Sequence, residues 1–183
     1  MLLHYDEFDS PIGRILFASD GEALCTLDYS GYESRMSTLL ARRYESVEFQ
    51  RASDPLGLKR LLESYFSGDF HTFDSLPVRT GGTEFQELVW KTLRTISPGE
   101  TWSYGKLAMS LNRPQAARAV GHANSLNPVA IIVPCHRVIG SNGTLTGYGG
   151  GLERKKWLLD HERGQRTLTD LCGIQPAAPR QPA

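Results

Sequence analysis

A chain of 183 residues with 40% apolar and 22% charged side chains is large enough for one ordinary globular domain or two small ones. Its longest apolar run, residues 129–133, is far short of the ~20 residues that cross a bilayer. The start, Met1-Leu2-Leu3-His4-Tyr5-Asp6-Glu7, has neither the basic region nor the apolar stretch of a signal peptide. Three cysteines, at 25, 135 and 172, form no even framework, so free thiols in a reducing, cytoplasmic setting are expected. The net charge of zero hides a split: residues 1–90 carry eight basic and fifteen acidic side chains, residues 91–183 twelve and five. Such an asymmetry fits an acidic scaffold half and a second half that meets an anion.

The first third reads as short strands. Turn signals at Asp9-Ser10-Pro11-Ile12-Gly13 and Asp20-Gly21 bracket residues 15–18, with 23–29 following, so an antiparallel hairpin is expected. Residues 32–44 read as a helix with Met36, Leu39 and Leu40 on one face. A second helix is expected from the cap-and-proline pair Asp54-Pro55, with Leu58, Leu61, Leu62, Tyr65 and Phe66 at spacings of three and four and Gly68 as its end. Residues 76–82 read as a linker. Thr83 and Gln86 then form a capping-box pattern ahead of Phe85, Leu88, Val89, Leu93 and Ile96, and Pro98-Gly99 closes that helix. These signals divide the chain into units 1–82 and 83–165, with 166–183 as a flexible tail that ends in a Pro- and Ala-rich stretch.

Ser103 is a cap for a short helix over 104–111. Asn112-Arg113-Pro114 makes a turn into a second helix over 115–125, and the pair resembles a helix–turn–helix. The second helix carries Ala116, Ala117, Ala119 and Gly121, with Gln115, Arg118, His122 and Asn124 as its only longer polar side chains. Small residues permit close approach to a nucleic acid, and Arg118 projecting between alanines suits the minor groove and the base stack. The alternative is that the alanines pack on the preceding helix and Arg118 is solvated.

Asn127-Pro128 leads into the apolar run 129–133 and then Pro134-Cys135-His136-Arg137. A thiol beside His and Arg has a reason to ionise, and thiolate is the nucleophile. Glu162, at the end of the helical stretch over 152–159, offers a carboxylate to orient His136. Against this, Cys is among the most buried residue types, and a Cys–His pair is often structural. Cys25 reads as core and Cys172 as incidental. No spaced Cys or His pair supports a metal site. Gly147-Tyr148-Gly149-Gly150-Gly151 lacks the phosphate-loop pattern and reads as a pliable pocket wall.

Pro134-Cys135-His136-Arg137-Val138-Ile139-Gly140 resembles the active-site signature of the O6-alkylguanine-DNA alkyltransferases. Tyr104-Gly105, Ala116-Ala117-Arg118-Ala119-Val120-Gly121, Asn124, Asn127-Pro128, Gly147-Tyr148, Gly150-Gly151 and Lys155-Lys156-Trp157-Leu158-Leu159-Asp160-His161-Glu162 follow in that family's order. Residues 1–82 match more loosely, at Ser10-Pro11-Ile12-Gly13 and Tyr65-Phe66-Ser67-Gly68. The resemblance implies an α/β N-terminal domain (a small antiparallel sheet with helices, ribonuclease-H-like) and a mostly α C-terminal domain of winged-helix/helix–turn–helix type. It implies double-stranded DNA containing O6-alkylguanine as partner, O4-alkylthymine as a second lesion, no cofactor, no metal, no membrane, and a monomer able to associate along DNA in the bacterial cytoplasm. It assigns Cys135 as alkyl acceptor, His136 as base through a water, Glu162 as its orienting carboxylate, and Tyr104 as the group that promotes base rotation. Arg118 becomes the finger filling the vacated stack, with Gln115, Ala117 and Gly121 on the same DNA-facing helix. Asn127 becomes the hinge, and Val138, Tyr148, Gly149 and Gly150 hold the base. Gly149 stands where some members have serine, and Ala130 where animal members have proline. Rival readings are a non-catalytic alkyltransferase-like protein, which lacks the acceptor cysteine, a thiol hydrolase, and a helix–turn–helix regulator.

Overall fold

In a computed structural model of the chain, residues 1–164 are described; the expected tail and Cys172 lie outside the described residues. Three strands, β1 (Leu2–Ser10), β2 (Gly13–Ser19) and β3 (Leu24–Tyr29), form an antiparallel meander. The helix α1 (Glu33–Ala41) follows, then a fourth strand β4 (Glu48–Arg51). The sheet order is β3-β2-β1-β4, and β4 pairs parallel to β1, so the sheet is mixed rather than purely antiparallel. The crossover through α1 accounts for this, because it returns the chain in the direction of β1.

The expected hairpin is present as β2–β3, with a bulge at Ala18/Ser19. On one face, Ala18 and Cys25 pack with Leu3 and Leu40 of α1. On the other, Ile15, Phe17, Leu27 and Tyr29 enter the main core with Leu58, Leu62 and Tyr65 of α2 (Leu58–Phe66). Asp54 is not the helical cap expected there. It adopts a left-handed conformation, a single 3-10 turn over Pro55–Gly57 intervenes, and α2 begins at Leu58. Asp54 Oδ1 still accepts the Lys59 amide at 2.7 Å, so its capping chemistry survives one turn later.

The outer edge of β3 is covered by the rest of the chain. Leu24 bridges Val78 near the start of the strand, and Leu27 bridges Val129 further along, with Leu27 N to Pro128 O at 2.9 Å and Ala130 N to Leu27 O at 3.0 Å. An exposed edge is thereby removed, and the segment preceding Cys135 is pinned to the N-terminal sheet.

The C-terminal half begins with α3 (Glu84–Leu93), whose capping box is formed as expected by Thr83 and Gln86. Trp90 donates its indole N–H to Ala123 O at 2.9 Å, tying α3 to α5 (Ala117–Ser125). Ahead of α5 stand β5 (Trp102–Ser103), α4 (Tyr104–Ser110), capped by the Ser103 side chain at 3.0 Å from Lys106 N, and a 3-10 turn at Pro114–Ala116. The expected second helix therefore starts as a 3-10 turn before becoming α-helical at Ala117. After the cysteine turn, β6 (Val138–Ile139) pairs parallel to β5, and α6 (Leu152–Glu162) docks on α2 through Tyr65, Phe66, Trp157 and His161. No helix of the described residues is long and apolar enough to cross a membrane.

Gly82 sits against the Trp90 ring, where a Cβ would overlap the indole and lie 2.9 Å from Gln86 Cβ. Gly82→Ala should destabilise the protein by about 1–3 kcal/mol through overpacking, read as a lower urea midpoint at unchanged slope; an unchanged midpoint would show that the linker yields freely.

Candidate active site and nucleic-acid interface

Cys135 opens a 3-10 turn, Cys135–Arg137, and is 5% exposed. The chain reaches it by a tight path in which Ile131 takes a positive φ of 67°, Ile132 N binds Ala130 O at 2.8 Å and Cys135 N binds Val133 O at 2.8 Å. A β-branched residue at positive φ is strained, and Asn127 holds the strained path closed. Its Nδ2 donates to Val133 O at 2.7 Å and to Cys135 Sγ at 3.1 Å, while its Oδ1 accepts from Val129 N at 3.0 Å. Asn124 Nδ2 donates to Cys135 O at 3.4 Å.

His136 is fully buried and its Nε2 lies 2.9 Å from Glu162 Oε1. The same carboxylate accepts from Arg137 Nε at 2.9 Å and Nη2 at 2.8 Å, from the Tyr65 hydroxyl at 2.9 Å and from Gly99 N at 3.2 Å. Burial alone would raise the Glu162 pKa, but its interactions with His136 and Arg137 outweigh this and hold it well below the usual carboxylate range. A carboxylate only accepts, so His136 Nε2 carries the hydrogen. Burial is also the largest influence on His136; it outweighs the pull of Glu162, whose charge Arg137 already balances, and lowers the histidine's pKa. The imidazole is therefore neutral with its lone pair on Nδ1, a buried atom that no protein group among the described residues satisfies.

The thiol differs from the sequence-based expectation. Burial raises its pKa, and the hydrogen bond from Asn127 together with the charges of Arg35 and Lys155 does not overcome that. Arg137, expected to promote ionisation, is turned away: it spends its guanidinium on Glu162 and on the carbonyl of Ile96. The resting group is a neutral thiol beside a neutral base, and nucleophilicity must come from proton transfer rather than from a standing thiolate.

The residues expected to line a pocket are placed as follows. Tyr104 lies over Gly121, where a Cβ would stand 3.7 Å from its ring, and Tyr104 and Tyr148 both lie within electrostatic reach of Cys135. Gly150 is buried and Gly149 abuts the Arg35 guanidinium. Val138 presents its carbonyl to Lys155 Nζ at 2.6 Å. Gln115 and Arg118 are exposed on the α4–α5 face, with Ala117 half-buried beside them. The structure thus buries two hydrogen-bonded groups on one turn, Cys135 with Asn127 and His136 with Glu162, with buried Val138 next in the chain, and leaves Arg118 and Gln115 exposed.

Sequence reasoning missed several participants. Lys155 is fully buried, and its ammonium also meets Thr146 O at 2.7 Å; burial lowers its pKa to about 8. Its signal was available: Lys155, Leu158, Leu159 and Glu162 recur at helical spacing on the buried stripe of α6. Tyr65 and Arg35 come from the N-terminal half, 97 and 92 positions away from Glu162 and Asn127, which they contact, and carry no local signal. Arg35 pairs with buried Asp28 and donates to Ser125 O at 2.9 Å and Asn127 O at 3.0 Å.

These features define a two-domain protein in which a buried thiol and a neutral histidine lie behind an exposed helix pair. The sequence comparisons give that class its family. Residues 84–164 match the 6-O-methylguanine DNA methyltransferase DNA-binding domain and residues 3–80 the ribonuclease-like domain of the same family. A methylated-DNA–protein-cysteine methyltransferase of Shigella flexneri is 49% identical over 160 residues, 86% of this chain and 94% of that protein. One from Mycobacterium bovis is 46% identical over 168 residues, 90% and 94% of the two chains. The crystal structure of Mycobacterium tuberculosis OGT in complex with DNA superposes with a TM-score of 0.77 at 42% identity, covering 93% of this chain and 98% of that one. The chain belongs to the 6-O-methylguanine DNA methyltransferase family.

Glu162→Gln should cost about 3–5 kcal/mol at neutral pH, because it leaves Arg137 buried without its counter-charge. Since the folded-state pKa of Glu162 is depressed, its contribution is present above the ordinary carboxylate range and is lost as pH falls through the folded value. The stability gap between wild type and variant should therefore narrow on acidification; a gap independent of pH would contradict the assigned charge state.

Proposed function

We propose that this chain repairs DNA by direct reversal: it takes the alkyl group from O6 of guanine, and from O4 of thymine, in double-stranded DNA onto Cys135. The observation that carries this reading is the buried Cys135 thiol beside a neutral His136 held by Glu162, in a family whose relatives are methylated-DNA–protein-cysteine methyltransferases. The damaged base is flipped out of the stack to reach the sulfur. Tyr104 crowds its phosphate, and Arg118 fills the vacated place, with Gln115, Ala117 and Gly121 on the face that meets the minor groove. Tyr148, the Gly149 and Gly150 backbone and the Val138 carbonyl hold the guanine. His136 Nδ1 takes the thiol proton through a water while Glu162 fixes the ring. A sulfur–carbon bond forms, the carbon–O6 bond breaks with its electron pair going to the base, and Tyr104 supplies the proton that leaves a neutral guanine. The product thioether does not revert, so each molecule acts once and needs no cofactor.

Residues 1–82 serve as scaffold and 83–165 as the DNA-binding and acceptor unit. The protein acts as a monomer in the bacterial cytoplasm, able to associate along DNA.

Incubation with a duplex containing one O6-methylguanine should add about 14 Da, one methylene, mapped to Cys135 and saturating at one per molecule. Cys135→Ala should bind the lesion without gaining mass; transfer by that variant would overturn the mechanism. Arg118→Ala should slow duplex repair at least about tenfold, the cost of an unfilled stack, while reaction with free O6-benzylguanine stays near the wild-type rate. Equal losses on both substrates would remove the finger role.

A further inference from the structure

The N-terminal domain places one phenol directly against Tyr148. Tyr29, the last residue of β3, is fully buried on the sheet face turned toward the C-terminal half, and its hydroxyl lies 2.9 Å from the hydroxyl of Tyr148. The two are 119 positions apart in sequence. Their rings stand 6.4 Å apart at 59°. Bare backbone at Gly150 permits the approach: a Cβ there would lie 2.7 Å from Tyr29 Cδ2 and 2.8 Å from Tyr148 Cε1. Arg154 locks the arrangement from the other side. Its guanidinium lies 4.5 Å over the Tyr29 ring, donates to Gly150 O at 2.9 Å and reaches Ile12 O at 2.7 Å.

The direction of the hydroxyl pair follows from burial. A fully enclosed O–H that fails to donate costs the desolvation of its proton, and the Tyr29 hydroxyl has Tyr148 Oη as its one hydrogen-bond partner among the described residues. Tyr148 is only half-buried. The lower-energy arrangement has Tyr29 donating and Tyr148 accepting, which leaves the Tyr148 proton free on the side away from Tyr29. Reversing the pair would spend the Tyr148 proton and strand that of Tyr29.

We propose that Tyr29 is a positioning residue for the alkyl-transfer site: it fixes the ring and the hydroxyl polarity of Tyr148, so that Tyr148 presents an O–H donor to an acceptor atom of the flipped base. The inference rests on the proposed role of Tyr148 in holding that base. Tyr29 acts through Tyr148, the partner of its hydroxyl.

The test is a double-mutant cycle on the rate of Cys135 alkylation by an O6-methylguanine duplex, using Tyr29→Phe, Tyr148→Phe and the pair. Each substitution removes one hydroxyl and keeps its ring, so the packing on Gly150 and Arg154 is retained. Tyr29→Phe should slow transfer about fivefold, the worth of one net hydrogen bond. In the Tyr148→Phe background the same change should have no further effect, because the atom it acts on is gone; a merely structural tyrosine would cost the same in both backgrounds. A wild-type rate for Tyr29→Phe, or equal losses in both backgrounds, would overturn the inference while leaving the repair function intact. Failure of wild type to gain mass at Cys135 would overturn both.

Discussion

The carboxylate of Glu162 is the constraint on which the site depends. It sits in the dry interior and collects donors from four residues on three separate segments: Tyr65 on α2, Gly99 after α3, and His136 and Arg137 on the cysteine turn. Burying an ion costs several kcal/mol, and only a geometry that satisfies every lone pair offsets it. His136 and the two-pronged contact from Arg137 together do this, and the consequence is chemical as well as structural. Because a permanent cation balances Glu162, His136 need not be protonated to do so. The imidazole keeps an unprotonated nitrogen and remains a base, which a simple His–Glu ion pair would have denied it.

A second constraint shapes the thiol's position. The peptide between Asn127 and Cys135 passes through a left-handed isoleucine, a conformation that costs on the order of 1–3 kcal/mol. It persists because both ends are held: Val129 and its neighbours are hydrogen-bonded to Leu27 of β3, and the Asn127 side chain spans the turn to Val133 and the sulfur itself. The reactive atom is thus set by a sheet edge in the first domain and by one amide in the second. Its burial keeps it protonated until a base accepts the proton, which protects an otherwise reactive group from indiscriminate chemistry.

What could be read from the sequence was what is local. The β2–β3 hairpin, the Thr83–Gln86 capping box, the Ser103 cap and the helix pair around Pro114 all announce themselves within a few residues, and each is present. The strands β1 and β4 were not legible. In β1 the buried positions include Asp6, which is satisfied by backbone amides and Lys59 and so breaks the apolar alternation. All four residues of β4 are exposed, as befits an edge. At the site, the motif named Cys135, His136 and Glu162, but neighbours in sequence do not give direction. Arg137 lies in the cysteine turn yet faces Glu162, so its charge does not ionise the thiol. Tyr29, Arg35 and Tyr65 were invisible because nothing within their own segments distinguishes them from ordinary core or surface residues.

The seam between the halves has a consequence for how such a protein can change over generations. Tyr29 meets Tyr148, Arg35 meets the carbonyls around Asn127, Tyr65 meets Glu162, and the turn at Ile12 receives Arg154. The half without the nucleophile therefore carries part of the specification for the half that has it. Substitutions on either side are screened against their partners on the other, so the two halves are inherited as one unit of selection. A gene recombined near the linker would join two intact domains and still mismatch the contacts that make the sulfur useful.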